Sequence, residues 1–133
     1  MKILVVDDSH SWRIFHKNNL EEIFIEKDIS DYKIDIAENA QQGYDFVMQN
    51  NDNPYDLIIT DLQMEEDFAP KYAGEWFVEQ VKTFSKYFKT KIVICSGCYN
   101  IKQIAETLST DYIPKRLAVT DINSYKSKIM SLL

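Results

Sequence analysis

The chain has 133 residues, 45% of them hydrophobic, which fits one compact domain and is too apolar for a disordered chain. Its net charge of −6 at pH 7 argues against direct binding to nucleic acid, because an acidic surface repels a phosphate backbone. No apolar run approaches the roughly 20 residues of a membrane span, and the short run after Met1 ends in two acids, unlike a signal peptide. We therefore expect a cytoplasmic protein with no membrane partner.

Five strand patterns occur along the chain. Residues 2–6, 56–60 and 91–95 are short, continuous apolar runs bounded by polar residues, which is typical of strands buried on both faces. Residues 33–37 alternate between polar and apolar side chains, and 111–113 form a brief fifth strand. Each strand is followed by apolar residues at helical spacing.

The first helix pattern begins at a cap, Ser9 or Ser11, and runs to about residue 26, although His16 and Asn19 interrupt its apolar face. The second helix pattern follows 33–37 and ends in "NNDNP". For the last three helices, the residues predicted to face inward are Trp76, Phe77, Val81 and Phe84; Ile101, Ile104, Ala105 and Leu108; and Val119, Ile122, Ile129 and Leu132.

Strict alternation of strands and helices predicts an α/β fold, with a parallel sheet covered by helices on both faces. In such sheets a site lies beyond the carboxyl ends of the strands, near the point where the strand order reverses. The polar residues at the strand ends are therefore the candidates for chemistry.

Those strand ends carry Asp7 and Asp8, then Asp61, Ser96 and finally Lys115. If the strands are neighbours, three carboxylates converge and repel one another, and burial adds to the cost of their charge. A hard divalent cation such as Mg²⁺ relieves this repulsion, because it prefers oxygen ligands. A lysine and a hydroxyl beside a metal-bound carboxylate make a site for a phosphoryl group.

The segments "LVVDDS", "DLIITDLQM", "IVICSG" and "DYIPK", in this order, resemble a response-regulator receiver domain. The resemblance extends from Lys2 to the last helix. It implies a doubly wound, flavodoxin-like sheet of five parallel strands in the order 2-1-3-4-5. It also implies that residues 1–133 are a single receiver domain of the stand-alone type, with no effector domain.

The resemblance assigns a role to each site residue. Asp61 resembles the phosphoacceptor, which takes the phosphoryl group from a phosphohistidine of a sensor histidine kinase or phosphotransfer protein. Asp8, Asp61 and the backbone carbonyl of Gln63 would hold Mg²⁺, and Asp7 would act mostly through a bound water. Lys115 would pair with the phosphoryl oxygens.

Two further residues match the switch of that family. The Ser96 hydroxyl would donate a hydrogen bond to the new phosphoryl group, and Tyr112 resembles the aromatic whose rotamer follows that movement. A downstream protein would then recognise the face formed by the last two helices and the fifth strand. The protein is expected to be a switch that assists its own phosphorylation and dephosphorylation, and not an enzyme in the ordinary sense.

The chain departs from the family pattern beside the lysine. Family members usually carry a cis proline after it, whereas Lys115 is preceded by Pro114 and followed by Arg116. A cis bond before a non-proline residue costs about 2.5–4 kcal/mol, so we expect a trans bond here.

A second departure lies after the phosphoacceptor. Glu65 follows Met64 where the family usually has proline, and the loop to Gly74 is longer than is typical and contains Pro70. We expect this loop to fold over the site and to alter phosphoryl lifetime or partner choice.

Three alternatives remain open on the sequence. A pseudo-receiver would keep the fold as a protein-binding module without accepting phosphate. Cys95 and Cys98 form a C-x-x-C motif that could belong to a redox protein. An aspartate-based phosphatase would want a second acid two residues after Asp61, where Gln63 stands. His16 is expected to bond to backbone or water and to have no catalytic role.

Overall fold

Five short parallel strands form one sheet through the centre of the computed structural model, which describes residues 1–64 and 71–133. The strands are β1 (Lys2–Val6), β2 (Lys33–Ala37), β3 (Leu57–Thr60), β4 (Lys91–Ser96) and β5 (Asp111–Pro114). Their order is β2-β1-β3-β4-β5, as the resemblance to receiver domains implies. β1, β3 and β4 are short because each consists of one apolar run bounded by polar residues, whereas β2 alternates between polar and apolar side chains.

Helices connect the strands and cover both faces of the sheet. Ser9 is the cap of the first helix, since its Oγ accepts a hydrogen bond from the backbone N–H of Trp12 over 3.4 Å. A 3₁₀ turn at Ser85–Tyr87 follows the third helix. The helices are α1 (His10–Glu26), α2 (Ala40–Gln49), α3 (Ala73–Thr83), α4 (Ile101–Leu108), α5 (Lys115–Thr120) and α6 (Ile122–Ser131).

Alternate residues of each strand point to opposite faces, so the core has two sides. In β1, Ile3 and Val5 belong to a cluster with residues of α1 and α6, whereas Leu4 and Val6 belong to a cluster with residues of α2 and α3. A smaller cluster lies beneath α4. Hydrophobic contacts on both faces therefore fix the sheet, and its carboxyl edge carries the polar residues.

The final helix predicted from the sequence is two helices. Asp121 separates α5 from α6, and its Oδ1 accepts a hydrogen bond from the backbone N–H of Ser124. The prediction that Val119 and Ile122 face inward is wrong, because these side chains are 61% and 37% exposed. A spacing counted through one continuous helix fails across this break, although Ile129 is fully buried as expected.

The predicted inner face of α3 is partly correct. Phe77 and Val81 are buried, while Trp76 and Phe84 are half-buried and pack against the same cluster. None of the helices within 1–64 and 71–133 is long and apolar enough to cross a bilayer.

The loop after the phosphoacceptor candidate lies mostly outside the described residues. The prediction that this loop folds over the site concerns residues that include Glu65 and Pro70. It therefore stays a prediction, since these residues lie outside the described ranges. The chain is described again from Lys71, two residues before α3 begins.

Candidate functional site

Two neighbouring strands place two aspartates side by side at the carboxyl edge of the sheet. Val6 and Thr60 are partners in the β1–β3 ladder, and the next residue on each strand is Asp7 or Asp61. The backbone N–H of Asp61 donates to the carbonyl of Val6 over 2.9 Å, which continues the ladder to the acid itself. Both aspartates are buried, with exposed fractions of 1% and 5%.

Asp8 completes a cluster of three carboxylates. One oxygen of each of Asp7, Asp8 and Asp61 lies within 4.8 Å of the others, and Asp8 is half-buried. Three hard oxygen donors at this separation fit Mg²⁺. Asp7 Oδ2 is available to bind a cation, because it is buried and makes no hydrogen bond with the described residues.

Lys115 supplies the positive charge of the site. Its Nζ lies 2.8 Å from Asp61 Oδ2 and 3.0 Å from Asp7 Oδ2. The contact with Asp61 is a hydrogen bond, whereas we regard the contact with Asp7 as an ion pair without a well-directed hydrogen bond. Burial lowers the pKa of Lys115, but the hydrogen bond to Asp61 and the two negative charges outweigh this effect, so the pKa is raised. The ammonium therefore stays charged at neutral pH.

The backbone around Lys115 is the beginning of a helix. Lys115 is the first residue of α5, with Pro114 at the cap position before it. Proline suits this position because its φ is fixed near the value that precedes a helix and no backbone N–H is lost from the helix. The trans bond expected between Lys115 and Arg116 stays a prediction, and the helical conformation of both residues is compatible with it.

The buried carboxyl of Asp7 has an unusual affinity for a proton. Burial, followed by the neighbouring charge of Asp61, raises the pKa of Asp7 to about 6. The backbone N–H of Ser9, which donates to Asp7 Oδ1 over 2.9 Å, and the Lys115 ammonium oppose this increase. Burial and the neighbouring carboxylate therefore oppose the charged form of Asp7, and a cation beside this carboxyl would favour that form.

Asp61 is held in one orientation by its neighbours. The backbone N–H of Leu62 donates to Asp61 Oδ1 over 2.7 Å, while Lys115 binds Oδ2. The backbone N–H of Gly74 in α3 donates to the carbonyl of Leu62 over 3.0 Å. A Cβ at Gly74 would lie 2.0 Å from the Asp61 carbonyl oxygen, so the start of α3 packs directly on the backbone of the acid.

The other predicted residues, Ser96, Tyr112 and Gln63, lie at the end of β4, in β5 and shortly after β3. Ser96 ends β4 and is buried, and its Oγ accepts a hydrogen bond from the backbone N–H of Cys98 over 3.2 Å. Its hydroxyl proton can therefore be donated elsewhere. Tyr112 is half-buried and packs against the cluster beneath α4. The side chain of Gln63 is exposed, two residues after Asp61.

The structure adds contacts that the sequence did not reveal. Lys115 Nζ lies 4.8 Å from the centre of the ring of Trp12, a residue near the start of α1. Arg13 donates from Nη1 to the carbonyl of Asp7 over 2.8 Å. Trp12 and Arg13 lie near the start of α1, which begins beside the site. This position was the signal in the sequence that could have indicated the two contacts.

The structure corrects the prediction for the hydrogen-bond partner of His16. Its Nδ1 lies 2.7 Å from the hydroxyl oxygen of Tyr125 in α6, so this nitrogen has a side-chain partner where backbone or water was expected. Burial lowers the pKa of His16 to about 3, and the positive charge of Lys115 adds to this effect. The imidazole is therefore neutral at pH 7.

The two cysteines are free and buried. Cys95 belongs to the cluster beneath α1 and α6, whereas Cys98 belongs to the cluster beneath α4. Burial raises the pKa of the Cys95 thiol well above its usual range, which disfavours the reactive thiolate. This arrangement gives the redox alternative no support.

The architecture is that of known receiver domains. No protein-family model and no curated protein matches the sequence. Among solved structures, a CheY-like response regulator receiver domain from Methylobacillus flagellatus superposes with a TM-score of 0.70 at 21% identity, covering 100% of this chain and 98% of that one. The non-phosphorylated HemR receiver domain from Leptospira biflexa has a TM-score of 0.69 at 18% identity, covering 99% and 95%.

A third structure, the response regulatory domain of protein mrkE from Klebsiella pneumoniae, has a TM-score of 0.63 at 20% identity, covering 98% of this chain and 96% of that one. The chain thus has the receiver-domain fold along its full length, in agreement with the resemblance carried by its motifs. At these identities, the likeness establishes the fold.

Proposed function

We propose that residues 1–133 form one phosphoacceptor receiver domain of a two-component signalling system, which works in the cytoplasm. The observation that carries the proposal is the position of the Lys115 ammonium, 2.8 Å from Asp61 and 3.0 Å from Asp7, beside the third carboxylate of the cluster. A structural ion pair needs one acid for one lysine. Three acids around one lysine leave excess negative charge, as a site for a divalent cation and a phosphoryl group requires.

In the proposed reaction, an oxygen of the Asp61 carboxylate attacks the phosphorus of a phosphohistidine on a kinase or phosphotransfer protein. An O–P bond forms, the N–P bond breaks, and its electron pair stays on the imidazole nitrogen, which takes a proton from solvent. The product on this chain is an acyl phosphate at Asp61. The fixed orientation of that carboxylate reduces the entropy cost of reaching the reactive geometry.

The other residues stabilise the charge that is transferred. Lys115 pairs with the phosphoryl oxygens, and the Ser96 hydroxyl donates its free proton to one of them. Asp8, Asp61 and the backbone carbonyl of Gln63 would hold Mg²⁺, with Asp7 acting mostly through a bound water. When bound, the ion would neutralise charge on the phosphoryl oxygens.

The acyl phosphate adds about −1.5 to −2 of charge at the strand ends. Ser96 and Lys115 bind this charge better in one arrangement, so phosphorylation selects a conformation that is already sampled. Movement of Tyr112 from its half-buried position would change the surface formed by β5 with α4 and the last helical segment, α5 and α6. A downstream protein would recognise that surface.

Incubation with acetyl phosphate and Mg²⁺ tests the proposal. We expect the wild-type chain to gain the mass of one phosphoryl group, and Asp61→Asn to gain none. Asp52→Asn is the matched control, since Asp52 has a 98% exposed side chain and pairs with Lys86 away from the site. A wild-type chain that gains no mass while EDTA and Mg²⁺ samples behave alike would favour the pseudo-receiver.

A further inference from the structure

The Lys115 ammonium has a third neighbour besides the two carboxylates. Its Nζ lies 4.8 Å from the centre of the Trp12 ring, within the roughly 6 Å at which a cation is attracted to the negative face of an indole. The lysine side chain is only 17% exposed, so water screens this attraction weakly. Tryptophan is the aromatic residue that binds cations best.

The Trp12 ring is itself held in place. It packs edge-on against Phe15, with ring centres 4.9 Å apart, and lies 5.7 Å from the His16 ring. His16 in turn contacts Tyr125 of α6. Because these rings lie in the first two turns of α1 and in the core beneath it, the indole is a rigid surface and not a mobile side chain that follows the lysine.

The three neighbours of the ammonium differ in one respect. Asp7 and Asp61 are also proposed ligands of a divalent cation, which competes with the lysine for their oxygens. Trp12 offers no oxygen to a hard cation, so its attraction for the ammonium persists when the carboxylates are shared. This distinction matters because the lysine has four flexible methylene groups, so its amine needs a fixed partner. In addition, Arg116 stands where the family pattern has proline.

We infer that Trp12 is a positioning residue, which holds the Lys115 amine beside Asp61 when a divalent cation occupies the carboxylates. When a carboxylate oxygen binds the divalent cation and no longer contacts the ammonium, the indole face still attracts the ammonium. The reactive role of that amine rests on the proposed function, but its position can be measured without phosphoryl transfer.

NMR of the Lys115 side chain tests the position directly. Protons on the carbon next to Nζ lie near the indole face, so we expect a ring-current shift to lower frequency in the wild-type chain. The shift should persist after addition of Mg²⁺. It should disappear in Trp12→Leu, which keeps an apolar side chain, and be partly retained in Trp12→Phe, which restores a weaker aromatic face.

Trp76→Phe is the matched control, because Trp76 packs near Tyr44 on the opposite face of the sheet. It should leave the Lys115 shift unchanged. An unshifted Lys115 in the wild-type chain, or a shift that vanishes on addition of Mg²⁺, would overturn the inference. If Trp12→Leu does not fold, Trp12→Phe is used in its place. A Lys115 shift in Trp12→Phe equal to that in Trp76→Phe would then overturn the inference.

Kinetics separate this inference from the proposed function. We expect the rate of phosphorylation by acetyl phosphate to fall about tenfold in Trp12→Leu and less in Trp12→Phe, with Trp76→Phe at the wild-type rate. A wild-type chain that shows the persistent shift but accepts no phosphoryl group would support the position of the amine and overturn the proposed function. Equal rates in all variants would overturn the positioning role.

Discussion

Lys115 compensates two buried carboxylates with one charge, and its removal should be costly. We expect Lys115→Met to lower the free energy of unfolding by about 3 kcal/mol without metal, because Asp7 and Asp61 are then left buried without a cation. Added Mg²⁺ should restore much of this loss, since it binds the folded state. Urea denaturation with and without Mg²⁺ measures both effects.

Lys126→Met is the control for this experiment. Lys126 is also 17% exposed, but it pairs with Glu22 and Glu26, whose side chains are 59% and 56% exposed. Solvated pairs of this kind contribute about 0–1 kcal/mol. A loss of stability in Lys126→Met equal to that in Lys115→Met, or one insensitive to Mg²⁺ in both, would contradict the account of the charge cluster.

His16 should make the folded state sensitive to acid. Its pKa is lowered to about 3 in the folded chain, from about 6.5 when unfolded. Between these values the unfolded chain binds more protons, so stability from this residue is complete above pH 6.5 and is lost as the pH falls. The expected loss is about 2 kcal/mol between pH 7.5 and pH 5.

We expect His16→Gln to remove this loss, because glutamine does not titrate. Its amide can still bond to the Tyr125 hydroxyl. The raised pKa of Asp7 acts in the opposite direction, stabilising the folded state as the pH falls, in the wild-type chain and in the variant alike. The matched variant is His10→Gln, which changes an exposed imidazole on the same helix. Denaturation curves at pH 5, 6 and 7.5 give the slopes, and equal slopes for the two variants would count against the buried neutral imidazole.

At the scale of elements, the start of α3 fixes the acid at the end of β3. We expect Gly74→Ala to destabilise the chain by about 3 kcal/mol and to slow phosphorylation, because the added Cβ would meet the Asp61 carbonyl oxygen at 2.0 Å and the Leu62 Cα at 2.6 Å. Both are backbone atoms, so α3 or the acid must move.

Gly97→Ala tests whether this effect is specific to the close approach. A Cβ at Gly97 would meet nothing within 4 Å, and this glycine lies in the loop after β4, whereas Gly74 lies in α3. We expect its thermal unfolding midpoint to stay near that of the wild-type chain. Similar midpoints for the two alanine variants would show that α3 does not press on Asp61.

The elements also show where sequence patterns succeed. All five strands were predicted within one residue at either end. Three are continuous apolar runs and β2 alternates between polar and apolar residues, and both patterns can be recognised without knowledge of the partner strands. The break at Asp121 was missed, since one continuous helical spacing could be drawn through it. A cap formed by an aspartate side chain to Ser124 competes with helix continuation in a way that apolar spacing does not record.

At the scale of the whole molecule, the site follows from the topology. Parallel strands bring Asp7, Asp61 and Lys115 to one edge, although 54 positions separate the last two along the chain. The sequence therefore predicted which residues meet. It did not predict the contact of Trp12 with Lys115 or of His16 with Tyr125, because a helical pattern indicates which face is buried but not which side chain lies opposite.

Identifying the residue that carries the acyl phosphate tests directly whether Asp61 is the phosphoacceptor. The chain is treated with acetyl phosphate with or without Mg²⁺, reduced with borohydride to mark the residue that carried the phosphoryl group, and mapped by peptide mass spectrometry. The account predicts a mark at Asp61, present with Mg²⁺ and absent with EDTA. A mark on another residue, or none in the presence of Mg²⁺, would contradict it.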